Sequence, residues 1–467
     1  MKRMQWLVLV MAALVMLVVA ACGGQAAAPA QQAAPTAAAA VKAAAPTVAA
    51  AAPTAAAAAK AAAPTVAAAG AAKATDAPKA AAGSIAPQTI KIVSALPMTG
   101  SSLTQTSTVV NSIKMALDEV KSKACGDAVT IQFEALDDAT AAAGKWTPEQ
   151  ATAIANKAAA DKNILGYIGH FNSGAAKLAI PILNQAGLVM ISPANTYPGL
   201  TKNVAGVEAG EPDKYYPAKT RNYSRVVPAD DLQGPVGARW AKELGGKNVY
   251  ILDDQETYGK GLADLFEAEA KKIGLNVVGH EGWDGKATDF RALANKIKGA
   301  NPDTIYLGGI TQNQGGQLVK DLRGVGMTAD KVKIIGPDGL YETELINAAG
   351  KEAAEGFYVT FGGVPPNKLE GAGAKWYADY KAKYNAEPEA YAAYGYESAK
   401  VLLDAINRAC ATGTLDRKSV RDAVFATKDF NGLLGKFSID PNGDTTMTTM
   451  SGQQVKNGKF EFVSTLK

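Results

Sequence analysis

The sequence predicts an α/β protein whose folded part forms two lobes, each a mostly parallel sheet flanked by helices. Two observations carry this. Apolar, strand-like runs alternate with segments of helical period, which is the pattern of βαβ units, and the pattern starts again halfway along the chain. Residues 88–467 are also too many for one small core and suit two.

In the first half the strand-like runs are Ile90 to Leu96, Val129 to Ala135, Ile164 to Ile168 and Leu188 to Ile191. In the second they are Val249 to Leu252, Val277 to Gly279, Thr304 to Leu307 and Lys333 to Ile335. Helix-length intervals between them imply crossover connections, and hence parallel neighbours. The stretch from Lys202 to Arg225 is polar and tyrosine-rich and reads as too irregular for core. Arg225 to Gln233 reads as the crossing into the second lobe.

The N-terminus speaks for export. Lys2 and Arg3 precede an apolar run from Trp6 to about Ala20 that ends in small residues, the layout of a secretory signal over residues 1–21. The run falls short of the roughly 20 residues a membrane span needs. Val19-Ala20-Ala21-Cys22 resembles a bacterial lipobox, which implies cleavage before Cys22 and a lipid on its sulfur. Two acyl chains there would anchor stably where one would not.

Residues 22–87 form a tether that begins at Cys22 and is then almost wholly Ala, Pro, Thr and Gln, with proline punctuation at Pro35, Pro46, Pro53 and Pro64. Large apolar residues for a core are lacking, and the prolines interrupt each alanine run before a helix becomes stable. A flexible chain of this length reaches roughly 45 Å. The folded part would thus sample the membrane surface while attached.

Net charge is only +4 with basic residues scattered, so nucleic acid is not the expected partner. After lipidation two cysteines remain, Cys125 and Cys410, each following a predicted helix. They could pair in an exported protein, or stand as two separate thiols.

Two segments end predicted strands in small, hydroxyl-bearing residues at the start of a helix. They are Gly169-His170-Phe171-Asn172-Ser173-Gly174 and Ile191-Ser192-Pro193-Ala194-Asn195-Thr196. At neighbouring strand ends of an open parallel sheet they offer backbone N–H groups, hydroxyls and the positive end of a helix dipole. A carboxylate suits such a cradle. The only histidines, His170 and His280, are far apart, and no zinc, phosphate-loop or nucleophile-elbow motif accompanies them. His170 three residues from Ser173 supplies neither an orienting acid nor an oxyanion hole. The reading is binding without catalysis and without a cofactor.

Together with Asp137-Asp138, Asp230-Asp231-Leu232-Gln233-Gly234, Thr257-Tyr258-Gly259-Lys260-Gly261 and Gly336-Pro337-Asp338-Gly339, these segments give a resemblance spanning residues 88–467. The chain resembles the branched-chain amino acid substrate-binding proteins of ABC transporters, the leucine/isoleucine/valine-binding family of the type I periplasmic-binding fold. That resemblance implies lobe 1 at 88–228 with 363–446, lobe 2 at 229–362 with 447–467, and a multi-strand hinge. It implies that Ser173, Thr196 and backbone atoms of Ala194 hold a ligand carboxylate, that Tyr258 closes over the ligand, and that Asp338 faces its ammonium. A helix cap at Ser173 and a turn aspartate at Asp338 are the plainer roles for the same residues.

Gln105 and Ile310 stand where relatives have pocket tyrosines, and an aspartate at 338 replaces a common glutamate, so the ligand side chain is open. Either Tyr391 or Tyr394 falls near another aromatic pocket position. The expected partners are an amino acid, the permease subunits of an ABC importer and, through the lipid, the outer face of the cell membrane, with the protein itself a monomer. A sensor of amides or urea on the same fold is the alternative, and a surface lipoprotein with a vestigial cleft is a third.

Overall fold

The computed structural model describes residues 85–467, so the expected signal, Cys22 and nearly all of the tether lie outside the described residues. The first half runs β1 (Gln88–Leu96), α1 (Leu103–Glu119), β2 (Lys123–Ala124), β3 (Val129–Asp137), a hairpin of β4 (Ala139–Thr140) and β5 (Lys145–Trp146), α2 (Pro148–Ala160), β6 (Ile164–Gly169), α3 (Ser173–Gln185), β7 (Met190–Ser192) and β8 (Tyr223–Arg225). A second run follows: α4 (Asp230–Glu243), β9 (Asn248–Asp253), α5 (Thr257–Lys272), β10 (Asn276–Gly282), α6 (Arg291–Gly299), β11 (Thr304–Gly308), α7 (Gly315–Gly324), β12 (Lys333–Gly336), α8 (Thr343–Ala349), α9 (Lys351–Ala354) and β13 (Tyr358–Gly362). The chain then supplies α10 (Ala372–Tyr384), α11 (Ala392–Ala411), α12 (Arg417–Phe425) and a hairpin of β14 (Phe430–Gly432) and β15 (Gly435–Phe437). It ends in β16 (Met450–Lys456) and β17 (Lys459–Leu466).

Two sheets result. The first has the order β2-β3-β1-β6-β7-β8, parallel except for β2. The second has the order β10-β9-β11-β12-β13-β16-β17. All eight strand-like runs of the sequence lie in these sheets. Consecutive residues of β1 serve opposite faces: Ile90 and Ile92 join the core beneath α1 and α11, whereas Val93 and Ala95 join the one beneath α2 and α3. A strand buried on both faces reads as a continuous apolar run, which is why it stood out.

The second sheet is mostly parallel as expected, with β13, β16 and β17 pairing antiparallel at one edge. Two readings need correction. The Lys202 to Arg225 stretch does enter the core. Tyr215, Tyr216 and Tyr223 are buried with Leu200 and Ile180, and Tyr223–Arg225 is the edge strand β8, paired with β7. Its tyrosines can be buried because their hydroxyls find acceptors: Tyr215 and Tyr197 donate to Glu211, and Tyr216 to the Leu200 carbonyl at 2.6 Å. Cys410, finally, lies within the last turn of α11 rather than after a helix. It is disulfide-bonded to Cys125, with the two Cα atoms 5.8 Å apart. No described helix is long and apolar enough to cross a membrane.

Where β8 ends, Arg225 is fully buried and holds the connection between the halves. It pairs with Asp444 at 2.7 Å and donates to the carbonyls of Asn195 and Tyr197 at 3.2 and 2.9 Å, and to Thr201 Oγ1. Removing one partner of a buried ion pair strands the other, typically at about 3–5 kcal/mol. Arg225→Met is therefore expected to lower stability by about that amount in guanidinium unfolding. A change under about 1 kcal/mol would contradict this role.

Candidate functional site

Parallel strands in register end together, so their C-terminal loops share one edge of each sheet. In the first sheet Ala95 pairs with Gly169, Ile168 with Ile191 and Ser192 with Arg225. In the second Asp253 pairs with Gly308. Ligand sites of open α/β sheets form outside such ends. Here the two edges meet around one small cavity lined by Phe171, Ser173, Ala194, Tyr258, Ile310, Asp338 and Tyr391 among others.

The first wall is built by the two cradle segments, which are stitched to each other. Ser192 donates to the His170 carbonyl at 2.9 Å, Asn195 to the Phe171 carbonyl at 2.8 Å, and the Tyr197 amide to Ser173 Oγ at 3.4 Å. Ser173 opens α3 beneath its cap residue Asn172, whose side chain makes no cap bond. Amides in the first turn of a helix have no partner within the helix and carry the positive end of its dipole. The Ala194 amide, expected among the free donors, is instead engaged by Ser192 Oγ at 3.1 Å. Thr196 stands just behind the lining, 1 % exposed, with a hydroxyl that has no partner.

His170 stands behind this wall and is fully buried. Its ring nitrogens meet Asp138 at 2.5 Å and Tyr167 at 2.8 Å. With both nitrogens engaged it cannot serve as a base for Ser173. Among the described residues no group of three or more His, Cys, Asp or Glu is placed to hold a metal ion.

The opposite wall is acidic. Asp338 is 3 % exposed and accepts from Tyr258 at 2.7 Å and from Tyr391, which comes from the start of α11. Tyr258 in turn accepts from the Gly339 amide at 3.0 Å. Burial pushes the Asp338 carboxyl upward, opposed by hydrogen bonds from Tyr391, Tyr258 and Gln233. Asp230, the first residue of α4, is also fully buried, and neither carboxylate oxygen has a partner. Burial, and then the charge of Asp338, pushes its pKa far up. Asp338 thus lines the cavity with no basic side chain bonded to it, and Asp230 is buried near enough to feel its charge.

Contacts also run across the cleft behind the site. Glu342, 2 % exposed, accepts from Ser102 at 3.0 Å and from Gln105 at 3.4 Å, both on the first half. Its second oxygen is buried without a partner. Gln105, set by resemblance at a pocket position, therefore spends its side chain on Glu342 and on the Tyr391 amide rather than lining the cavity. Ile310 does line it.

With this geometry in hand, the comparisons with known proteins are direct. Residues 89–459 match the family model described as periplasmic binding protein. The chain belongs to the periplasmic binding protein family. This binding protein is 30 % identical over 381 residues to the Leu/Ile/Val-binding protein BraC3 of Rhizobium johnstonii, covering 81 % of this chain and 95 % of that one. A leucine-binding protein LivK of Thermotoga maritima superposes with TM-score 0.69 at 30 % identity, over 81 % of this chain and 99 % of that chain. LivJ of Streptococcus pneumoniae, solved with isoleucine, gives 0.68 at 26 %, over 80 % and 99 %. An ABC-transporter solute-binding protein of R. palustris, solved with benzoate, shares the fold at 0.67 and 17 % identity, over 81 % and 96 %. The family is a non-enzymatic component of transport, and this member is a solute-binding protein of the ABC-transporter type.

The binding protein thus brings Ser173, Ala194, Tyr258 and Asp338 to one cavity, whereas Thr196 is buried and not among the lining residues. Between the two candidate tyrosines, Tyr391 lines the cavity, whereas Tyr394 donates to the Gly362 carbonyl at the end of β13. Sequence reasoning quoted Asp230 within a motif but gave it no role, and it passed over Glu256, which lines the cavity. A hint existed for Asp230: a helix-starting acid followed at once by a second acid, where one is enough for the dipole.

If the halves part, burial of Glu342 on closing is expected to make that closure pH-dependent. Burial raises its pKa from 4.5 to about 7, against hydrogen bonds from Ser102, Thr311 and Gln105, with the charge of Glu389 adding to the rise. When the halves part and water reaches the group, it returns toward its ordinary value. Between these values the closed form holds a proton that the open form lacks. Closure is therefore favoured toward pH 5 and weakens as pH rises through about 7. Interlobe distance measured by fluorescence transfer from pH 5 to 8 is expected to lengthen, and Glu342→Gln to flatten that change. An unaltered slope in the variant would contradict the assignment.

Proposed function

We propose that this protein captures an amino acid, a branched-chain aliphatic one, in the cleft and delivers it to the permease of an ABC importer. The observation that carries the reading is the polarity of the cavity. Ser173 and the first turn of α3 line one wall and the buried Asp338 carboxyl lines the other, which is the complement of a zwitterion. Ser173, Thr196 and the α3 amides take the carboxylate. Asp338, steadied by Tyr258 and Tyr391, takes the ammonium, and Asp230 adds a second acid. Phe171, Ile310 and the Tyr391 ring leave an apolar end for an aliphatic side chain.

The relatives' ligands divide on this point. BraC3 is named for Leu, Ile and Val, and LivJ was solved with isoleucine, whereas the R. palustris protein holds benzoate. An aromatic acid would suit the rings, but it brings no cation for Asp230 and Asp338, and an uncompensated buried charge is costly. A neutral amide or urea, as in a sensor, would likewise leave them unpaired. The zwitterion is the better match.

The wider reading follows. The protein works as a monomer of two lobes, 88–228 with 363–446 and 229–362 with 447–467, tethered outside the membrane through a lipid on Cys22. Solute meets the first wall, and the second wall then closes on it through contacts made only in the closed state.

The test is calorimetric titration of a soluble form beginning near Ile85, unfolded and refolded to strip resident solute, against leucine, isoleucine, valine, polar amino acids, benzoate, urea and short amides. Micromolar or tighter binding of an aliphatic amino acid is expected, with Asp338→Asn weakening it about 100-fold through loss of a buried charge-paired contact. Binding of benzoate or an amide alone, insensitive to that substitution, would overturn the ligand assignment.

A further inference from the structure

The hairpin of β4 and β5 is held firmly to the first half. Asp137 Oδ1 accepts from the amides of Ala139 and Met98, both at 2.8 Å, and Thr147, just beyond β5, donates its amide to the Asp138 carbonyl at 3.0 Å and caps α2. Yet its two adjacent residues Lys145 and Trp146 reach the other half. Lys145 Nζ lies 2.8 Å from Glu256 Oε1 and 2.6 Å from Asn313 Oδ1. The Trp146 indole N–H donates to Glu256 Oε2 at 3.1 Å. Neighbouring residues of one hairpin thus occupy both oxygens of a single carboxylate across the cleft.

The location ties this contact to the solute cavity. Glu256 lines the cavity, and so does Gly174. The Trp146 ring covers Gly174 so closely that a Cβ there would stand 2.7 Å from it. The electrostatics explain why the contact needs the first half. Glu256 immediately precedes α5 and lies two residues from Asp254, which is 4 % exposed and whose pKa is raised by burial and then by the Glu256 charge. Asp254 is held by the Glu256 amide, the Ile310 amide and Asn313 Nδ2, none of them a cation. Among the described residues the cation bonded to Glu256 is Lys145, with the pair about three-quarters buried. Parting the halves leaves Asp254 and Glu256 facing each other without it, and closing returns it.

We propose that Lys145 and Trp146 are the latch that sets how long the cleft stays closed, positioning residues that hold the lobes together rather than groups that recognise the solute. This rests on the reading of the cleft as the solute site. The latch exists only in the closed arrangement, so its loss speeds opening and leaves capture largely unchanged. The interaction is a partly buried charge pair, so salt weakens it less than a surface pair but measurably.

The experiment measures leucine release by stopped flow, and the interlobe distance by fluorescence transfer between dyes at the exposed positions Ala153 on α2 and Ala268 on α5. Lys145→Met is expected to speed release about tenfold with association changed less than about twofold. Trp146→Phe, which keeps the ring over Gly174 and removes the N–H, is expected to speed release about threefold. Without solute, Lys145→Met should lengthen the interlobe distance and abolish its response to salt between about 50 and 500 mM, values chosen to span the screening range. Trp146→Phe, read by release and by the solute-free distance, provides the deciding readout should Lys145→Met fail to fold. If leucine binds with unchanged release in these variants, the latch is wrong and the solute reading stands. If leucine does not bind, the solute reading fails, and the solute-free distance alone decides the latch: a distance unchanged by Lys145→Met overturns it.

Discussion

The site depends on one buried guanidinium. Arg225 sits where the first sheet gives way to the second, and its planar set of donors is divided among segments far apart in sequence: Asp444 in the last crossing before β16, the carbonyls of Asn195 and Tyr197 in the second cradle segment, and Thr201 beyond it. A lysine could not do this, because its ammonium is a point charge with no fixed fork. Burying such a pair adds little net stability, but it admits few alternative arrangements. What Arg225 fixes is the position of Asn195 to Tyr197, and through the Asn195 contact to Phe171 the first cradle segment also.

That rigidity on one side contrasts with the other. The acids of the second wall are held by hydroxyls and amides, and neither Asp230 nor Asp338 has a cation of its own. Two carboxyls so placed remain strained until something positive enters or a proton is taken up. The selectivity of the cleft is therefore written in a charge imbalance as much as in shape. A cradle without the acids would accept any small anion. The acids without a cradle would accept any amine.

Much of this was legible in the sequence, for identifiable reasons. Strands buried on both faces, such as Ile164 to Ile168, announce themselves as unbroken apolar runs. The cradle segments combined strand ends with hydroxyl residues, a local pattern. Illegible were features made by distant partners. Nothing near Tyr223 foretold an edge strand, because three residues carry no period and one is an arginine whose partner lies 219 residues on. Nothing local separated Tyr391 from Tyr394; one hydroxyl meets Asp338 and the other the Gly362 carbonyl only once α11 has docked. Asp230 looked like a helix-starting acid and is one, but it also packs against the first half, its amide donating to the Thr196 carbonyl at 2.9 Å.

The disulfide carries a consequence for how the molecule bears load and damage. Cys125 and Cys410 are 285 residues apart, and the ring they close contains β3 to β13 and hence strands of both sheets. Topologically, the segment holding β1, α1 and β2 is joined through this bond to α11, with everything between forming a single covalent ring. A single proteolytic cut anywhere within the ring leaves both fragments in one covalent piece. Pull applied at β1 is likewise passed through the Cys125 bond into α11. An exported protein beyond the reach of cytoplasmic repair would in this way keep a nicked chain in one piece.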